Sequence, residues 1–204
     1  MAKIKLTKTE LKAQTDALKR FQRFLPMLQL KKQQLQAEIA TVDAHIARVK
    51  QRERDAKAAL SSWVALFAAD TTPLQSLLTF QGVRTSTSNI AGVTIPVYKG
   101  IDVSVGEMDL FATPVWHDDA AHAIKRAWAL KAERALLEEQ RKLIMEELNT
   151  TSQRVNLFEK VKIPECRENI RLIKIAIGDE QTASVTRGKI AKGRTGKPQE
   201  EDAA

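Results

Sequence analysis

From Leu11 to Phe67 the apolar residues of this chain recur with a seven-residue period. With a positions at Leu11, Leu18, Leu25, Lys32, Ile39, Ile46, Glu53, Leu60 and Phe67, and d positions at Gln14, Phe21, Leu28, Leu35, Val42, Val49, Ala56 and Trp63, fourteen of seventeen are apolar. Such a stripe has to be covered by another helix, and over about eight heptads it reads as a coiled-coil seam. At about 1.5 Å per residue a helix from Thr7 to Ala69 would reach roughly 95 Å. A compact domain of 204 residues cannot bury that length, so the element reads as a rod.

A second helical flank follows. Leu130, Leu137, Ile144, Thr151 and Phe158 hold one heptad position, then Ile163, Ile170 and Ile177 take up another, so the register slips near Pro164 and a local unwinding or kink is expected there. Only 5% of residues are aromatic, which suits thin helical packing. Half of the fourteen Gly and Pro residues fall between the flanks, where Pro73, Gly82, Gly92, Pro96, Gly100, Gly106 and Pro114 cluster. Charge divides the same way: residues 1–69 carry +8, residues 70–119 carry −4 and residues 120–204 carry +4. The predicted organisation is a mainly α fold: an N-terminal coiled-coil helix over 1–69, an insert with a short helix and a β-hairpin over 70–119, a C-terminal coiled-coil helix over 120–178, and a basic, frayed or disordered tail over 179–204. The hairpin is expected from the β-branched alternation of Val93–Tyr98 and Ile101–Val105, with its turn at Lys99-Gly100.

Two long flanks with a short insert satisfy both seams most simply by folding back on each other. A turnaround between Ala69 and Ala121 pairs residues whose numbers add to 190, which sets Pro26 level with Pro164, Lys32 against Phe158 and Glu159, and Glu53 against Leu137 with Arg134 and Arg141 a turn to either side. Charges at seam positions either fix register or reach solvent past a thin interface. The aromatic residues near the hairpin end, Trp63, Phe67 and Trp128, are too large for a two-helix interior and are expected to form a partner surface, unless the insert folds over them. At the opposite end, fold-back is expected to bring Lys3, Lys5, Lys8 and Lys12 together with Arg187, Lys189 and Lys192.

Little in the chain suggests catalysis. Cys166 is the single cysteine, which excludes an intrachain disulfide and fits core packing. His117, Asp119 and His122 could geometrically hold a metal, but capping of a helix start by Asp118 or Asp119, with exposed histidines, is the simpler reading. Gly188–Thr195 imitates a phosphate-binding loop, yet Arg194 stands where a Lys belongs and no strand precedes it. No cofactor or metal is expected. The start of the sequence lacks the apolar run of a secretory signal, and Ala56–Ala69 is too short and too interrupted to span a bilayer.

Three blocks carry a family resemblance. These are Leu6–Leu11, Asn89–Tyr98, and above all Gln153-Arg154-Val155-Asn156-Leu157-Phe158-Glu159 with Ile163-Pro164 and Asn169-Ile170-Arg171. Together they resemble the D subunit of the V-type and A-type rotary ATPases over about residues 4–190, in one collinear order. The family usually reads Arg-Arg-Val-Asn-Ala-Leu-Glu, whereas here Gln153 replaces the first Arg and Leu157-Phe158 replaces Ala-Leu, as in a divergent bacterial member. Arg154, Val155, Asn156, Glu159, Ile163 and Pro164 match the motif.

The resemblance implies a central stalk, or rotor shaft, that couples ATP hydrolysis or synthesis to proton or other ion transport through a membrane ring. It implies a non-catalytic subunit with its termini inside the hexamer of A and B subunits, and its hairpin end on the small F subunit of the stalk and the C subunit that forms a socket on the membrane ring. It also implies a cytoplasmic place, peripheral to the membrane, with no membrane insertion and no nucleic acid. Two other readings fit the residues less well: the flagellar-export stalk protein, which lacks an insert like that at 89–105, and a basic coiled coil binding nucleic acid, for which base-stacking aromatics are sparse.

Overall fold

A computed structural model describes residues 4–61, 78–106 and 116–195. The elements are α1 (Lys8–Ser61), β1 (Leu78–Ile90), β2 (Val93–Val105), α2 (Trp116–Leu157), a π-helical turn (Phe158–Lys162) and α3 (Ile163–Thr195). They divide into two compact units, one of residues 1–29 with 152–204 and one of residues 30–151.

α1 starts where its sequence supplies a cap. Thr7 Oγ1 accepts the Glu10 N–H at 3.3 Å and the Thr7 carbonyl accepts the Leu11 N–H at 2.9 Å, so the Thr7-x-x-Glu10 spacing satisfies donors that a helix start leaves orphaned. Pro26 lies inside the uninterrupted helix on its exposed side, where water can take the hydrogen bond that proline's missing N–H leaves unmade.

In the unit of residues 30–151, the expected a and d residues Leu35, Ile39, Val42 and Ile46 of α1 are buried against Ile144 of α2. The hairpin completes this core: Ile95 is buried in it, and Ile90, Ala91 and Val93 pack at its edge. A two-stranded hairpin is marginal alone in water. Here it is anchored by these side chains and by Gln140 of α2, whose side-chain amide donates to the Pro96 carbonyl.

The hairpin is real, but its turn is not at Lys99-Gly100. The strands pair antiparallel from Leu78↔Val105 to Ile90↔Val93, and the chain reverses at Ala91-Gly92, both with positive φ (50° and 85°). That is the geometry of a two-residue I′ turn, which matches the twist of its strands. Asn89 Oδ1 steadies it by accepting the Gly92 N–H at 3.0 Å. Gly100 instead lies at a bulge: the register shifts between Arg84 and Thr85, and at φ 151° an added Cβ would come within 3.0 Å of the Arg84 guanidinium. The glycine is needed for a bend within β2, not for a reversal.

In the unit of residues 1–29 and 152–204, Phe21 packs on Phe158 with ring centroids 4.9 Å apart, and Asn169 Nδ2 donates to Gln14 Oε1 at 3.5 Å. Val155, Ile163, Cys166 and Ile173 are buried along the seam. Between Phe158 and Ile163 the apolar spacing is five residues, which an α-helix would throw off the seam. The π-helical turn absorbs the extra residue by closing Ile163 N–H onto the Phe158 carbonyl, five residues back, and so returns Ile163 to the seam. It also ends just before Pro164, whose ring disfavours a regular α turn over the preceding residues. The expected slip near Pro164 is therefore a one-residue insertion.

Two expectations are corrected by these contacts. Partners of α1 residues lie earlier in the chain than a turnaround at Ala121 requires: Glu53 meets Arg134, Asp43 meets Arg141, and Phe21 meets Phe158. α2 begins at Trp116, five residues before Ala121, which supplies part of a displacement that is three residues at Glu53, six at Asp43 and eleven at Phe21. Pro164 consequently falls opposite the stretch between Gln14 and Phe21, not opposite Pro26. Finally, α3 does not stop at Gly178: it continues to Thr195, and every residue from 178 to 193 is exposed.

Ile144 is completely buried, so Ile144→Ala is expected to lower the unfolding free energy in urea by about 3 kcal/mol. Thr151 lies on the same seam with its buried hydroxyl lacking a hydrogen-bond partner. Thr151→Val is therefore expected to raise stability by about 1 kcal/mol, and a loss instead would show that the hydroxyl is satisfied.

Candidate interaction surfaces

Three surfaces arise from this framework. The first is a lattice of ion pairs that braces the helices of the unit 30–151. Arg134 Nη1 lies 2.9 Å from Glu53 Oε2, Arg52 pairs with Glu133 at 3.1 Å, Arg141 with Asp43 at 2.6 Å, and Lys31 with Glu147 at 2.5 Å. Glu138 lies 3.7 Å from both Lys50 and Arg134, linking two pairs into a network. Glu53 was expected beside Arg134 and is found there; Arg141 turns to Asp43 instead, and Lys31 makes the cross-helix contact, not its neighbour Lys32. Half-exposed pairs of this kind contribute only about 0.2–1 kcal/mol each. Their value is positional, since each joins one side chain of α1 to one of α2 at a defined level.

The second surface lies where β1 meets α2. Phe80 packs edge-on to Trp128, with ring centroids 5.9 Å apart, and an apolar groove runs along Phe80, Val83, Trp128, Lys131, Ala132 and Ala135. Phe80 and Val83 remain exposed, while Trp128 is partly covered. Trp128 is thus covered in part by a ring of the insert, which is the arrangement the alternative of an insert folded over these aromatic residues describes. Trp63 and Phe67 lie outside the described residues. Phe80 and Val83 were missed because β1 was not foreseen, although Thr79, Phe80, Val83, Thr85, Thr87 and Ile90 are residues that favour a strand.

The third surface is basic. Lys5, Lys8 and Lys12 are exposed at the start of α1, and Arg187, Lys189 and Lys192 are exposed near the end of α3; Lys3 lies outside the described residues. The Gln14–Asn169 contact fixes the local level of the two helices. Along the helix axes at 1.5 Å per residue Arg187 lies about 27 Å beyond the level of Asn169 and Lys8 about 9 Å beyond that of Gln14 in the same direction, which leaves about 18 Å between them, some two screening lengths of physiological salt. The two clusters follow one another along the same end and do not face each other.

The motif residues are placed by the seam. Val155 and Ile163 are buried on either side of the π-helical turn, whereas Arg154, Asn156, Glu159 and Pro164 are exposed around it. Cys166 is buried, and burial pushes its thiol above the ordinary range, with Glu165 nearby adding to the rise, as suits a packing residue. His117 is buried (1% exposed), contrary to the expectation of exposed histidines, because α2 starts early enough to turn it inward beside Trp116. No group of three His, Cys, Asp or Glu side chains among the described residues could hold a metal. The stretch imitating a phosphate loop is part of α3, so its amides are committed to the helix.

Antiparallel helices with a lateral hairpin, braced by charge and presenting an aromatic groove and a basic end, define a helical scaffold protein. Comparison with known proteins makes this specific. The family model for the ATP synthase D subunit matches residues 10–193. The V-type ATP synthase D subunit of Borreliella burgdorferi is 44% identical over 192 residues, covering 94% of this chain and 95% of the relative. Proteins of the same name from Chlamydia pneumoniae and Chlamydia felis are 31% and 30% identical, the first covering 93% of this chain and 91% of the relative, the second 98% and 97%. The chain belongs to the family of ATP synthase D subunits.

A double-mutant cycle on Glu53→Ala and Arg134→Ala, read by urea unfolding, is expected to give a coupling of about 0.5–1 kcal/mol that shrinks in 1 M salt. A coupling near zero at low salt would remove the pair from the bracing lattice.

Proposed function

We propose that this chain is the central stalk subunit of a V-type ATPase, the shaft that couples ATP turnover in a hexamer of A and B subunits to ion movement through a membrane ring. The observation that carries this reading is the family match over residues 10–193, on a chain whose helices are paired antiparallel by an apolar seam within each unit, with a cross-helix ion-pair lattice in the unit of residues 30–151. A shaft transmits torque only if its two helices cannot slide past each other, and those features resist sliding. The chain would itself perform no catalysis. No described helix is long and apolar enough to cross a membrane, which agrees with a peripheral place in a membrane-bound assembly.

The surfaces suggest which partner goes where. The Phe80–Trp128 groove is apolar and includes residues of the hairpin, which suits a stable contact with the small F subunit, with the C subunit of the socket as the further partner of the stalk. The basic stretches carrying Lys3, Lys5, Lys8 and Lys12, and then Arg187, Lys189 and Lys192, suit the interior of the hexamer. Solvated lysines make weak, nondirectional contacts that exchange as the shaft turns.

Purification of the complex through a tag on the A subunit is expected to bring down this chain together with the F subunit. Trp128→Ala is expected to lower affinity for the F subunit about tenfold or more while leaving the helical circular dichroism unchanged. Absence of the chain from the purified complex would refute the stalk assignment. Unchanged affinity in the variant would place the contact with the F subunit elsewhere.

A further inference from the structure

β1 has two edges, and its ladder with β2 uses only one. The reversal at Ala91-Gly92 makes Ile90↔Val93 a pair that exchanges both backbone hydrogen bonds. By alternation, Asn89↔Thr94, Thr87↔Pro96 and Thr85↔Tyr98 turn their N–H and C=O groups away from each other. Pro96 fits this pattern, since it has no N–H to give and its carbonyl accepts from Gln140 of α2. The N–H and C=O groups of Thr85, Thr87 and Asn89 therefore face outward. These three residues are exposed, and among the described residues no backbone group outside the hairpin bonds to them.

The two edges of the hairpin differ in how they are guarded. Pro96 and Gln140 close the β2 edge. The β1 edge has none of the devices that blunt a strand: from Thr85 to Asn89 there is no charge, no proline and no bulge. An edge of this kind accepts a further strand.

A second copy of the chain supplies a matching strand. About a twofold axis at Thr87, antiparallel pairing sets Thr87 against Thr87 of the second copy and Thr85 against Asn89 of the second copy, with about six backbone hydrogen bonds formed. Arg84 then falls level with Ile90 of the second copy, and the two arginines stand about 20 Å apart at about 3.4 Å per residue. No like charges meet, and each Arg84 is already paired with its own Asp102 at 3.1 Å. Because each hairpin offers one open edge, association closes at two copies, in a four-stranded sheet ordered β2-β1-β1-β2. Four strands are also more stable than the two-stranded hairpin alone.

We propose that free copies of this chain pair through the outer edges of β1, centred on Thr87. Such pairing is independent of the stalk reading, and it covers an edge that otherwise invites aggregation.

Sedimentation equilibrium of the full-length chain, loaded from roughly micromolar to millimolar concentration, is expected to show the mass rising from one copy toward two. Thr87→Pro removes an outward N–H and no ladder bond, and stands directly across from Pro96. It is expected to weaken dimerisation at least tenfold with unchanged circular dichroism. In a Cys166→Ser background, Thr87→Cys is expected to form a disulfide between copies, whereas Thr85→Cys, whose two thiols would lie about 14 Å apart along the strands, is not. A single-copy mass at every concentration overturns the pairing, as does a dimer that Thr87→Pro leaves intact or a link formed equally well by both cysteine variants. Amides of Thr85, Thr87 and Asn89 that become protected from exchange only in the assembled ATPase would assign the edge to a strand of another subunit, and would also overturn it.

Discussion

Within each unit a pair of helices has one interior, the seam between them, and the ion pairs, the π-helical turn and the hairpin of the described residues are arranged around keeping it in register. The seam is only a few residues wide, so it cannot rely on a broad core to resist displacement. Leu35, Ile39, Val42 and Ile46 against Ile144 supply the apolar attachment in one unit, and Phe21 with Phe158 and Gln14 with Asn169 fix the level in the other. Apolar contacts are non-directional, and a heptad slide could re-form many of them. The ion pairs flanking the seam make such a slide costly, because Glu53, Asp43 and Lys31 would lose Arg134, Arg141 and Glu147 together.

The π-helical turn and the hairpin serve the same constraint in different ways. One extra residue between Phe158 and Ile163 would rotate all of α3 off the seam, and the wider turn returns it. The motif around Arg154 and Pro164 is thus a geometric device as well as a family mark. The hairpin adds a third layer to a core that two helices leave open on one side, through Ile95 and its neighbours. Its second strand carries Pro96, which limits addition of a further strand at that edge, and the Pro96 carbonyl is taken by Gln140.

Much of this was legible in the sequence because periodic apolar spacing and capping chemistry are local signals. The a and d positions of α1, its start at Thr7, the slip near Pro164 and the Glu53–Arg134 neighbourhood could all be read from spacing. What failed depended on where the chain turns around, which no local signal fixes. Taking the second helix from Ala121 and not Trp116 set the expected partners of Asp43 and Phe21 too late in the chain, while Arg134, a turn from the expected level, still meets Glu53. The choice of Gly100 over Gly92 for the turn failed similarly, since either glycine permits positive φ and only pairing with an unforeseen β1 distinguishes turn from bulge. Of the surfaces, Trp128 is covered in part by Phe80, which with Val83 comes from that same strand, and the two basic clusters share an end without sharing a level.

The central claim is that the seam stays fixed while the shaft works. Gln14→Cys and Asn169→Cys, placed where the native side chains touch, can be joined by a short bis-maleimide in a Cys166→Ser background. ATP-driven ion transport of the reconstituted complex is then measured before and after linking. A fixed antiparallel seam predicts an efficient cross-link within one chain and transport at the unlinked rate. Failure to link the two helices, or a linked shaft that hydrolyses ATP but no longer moves ions, would contradict it.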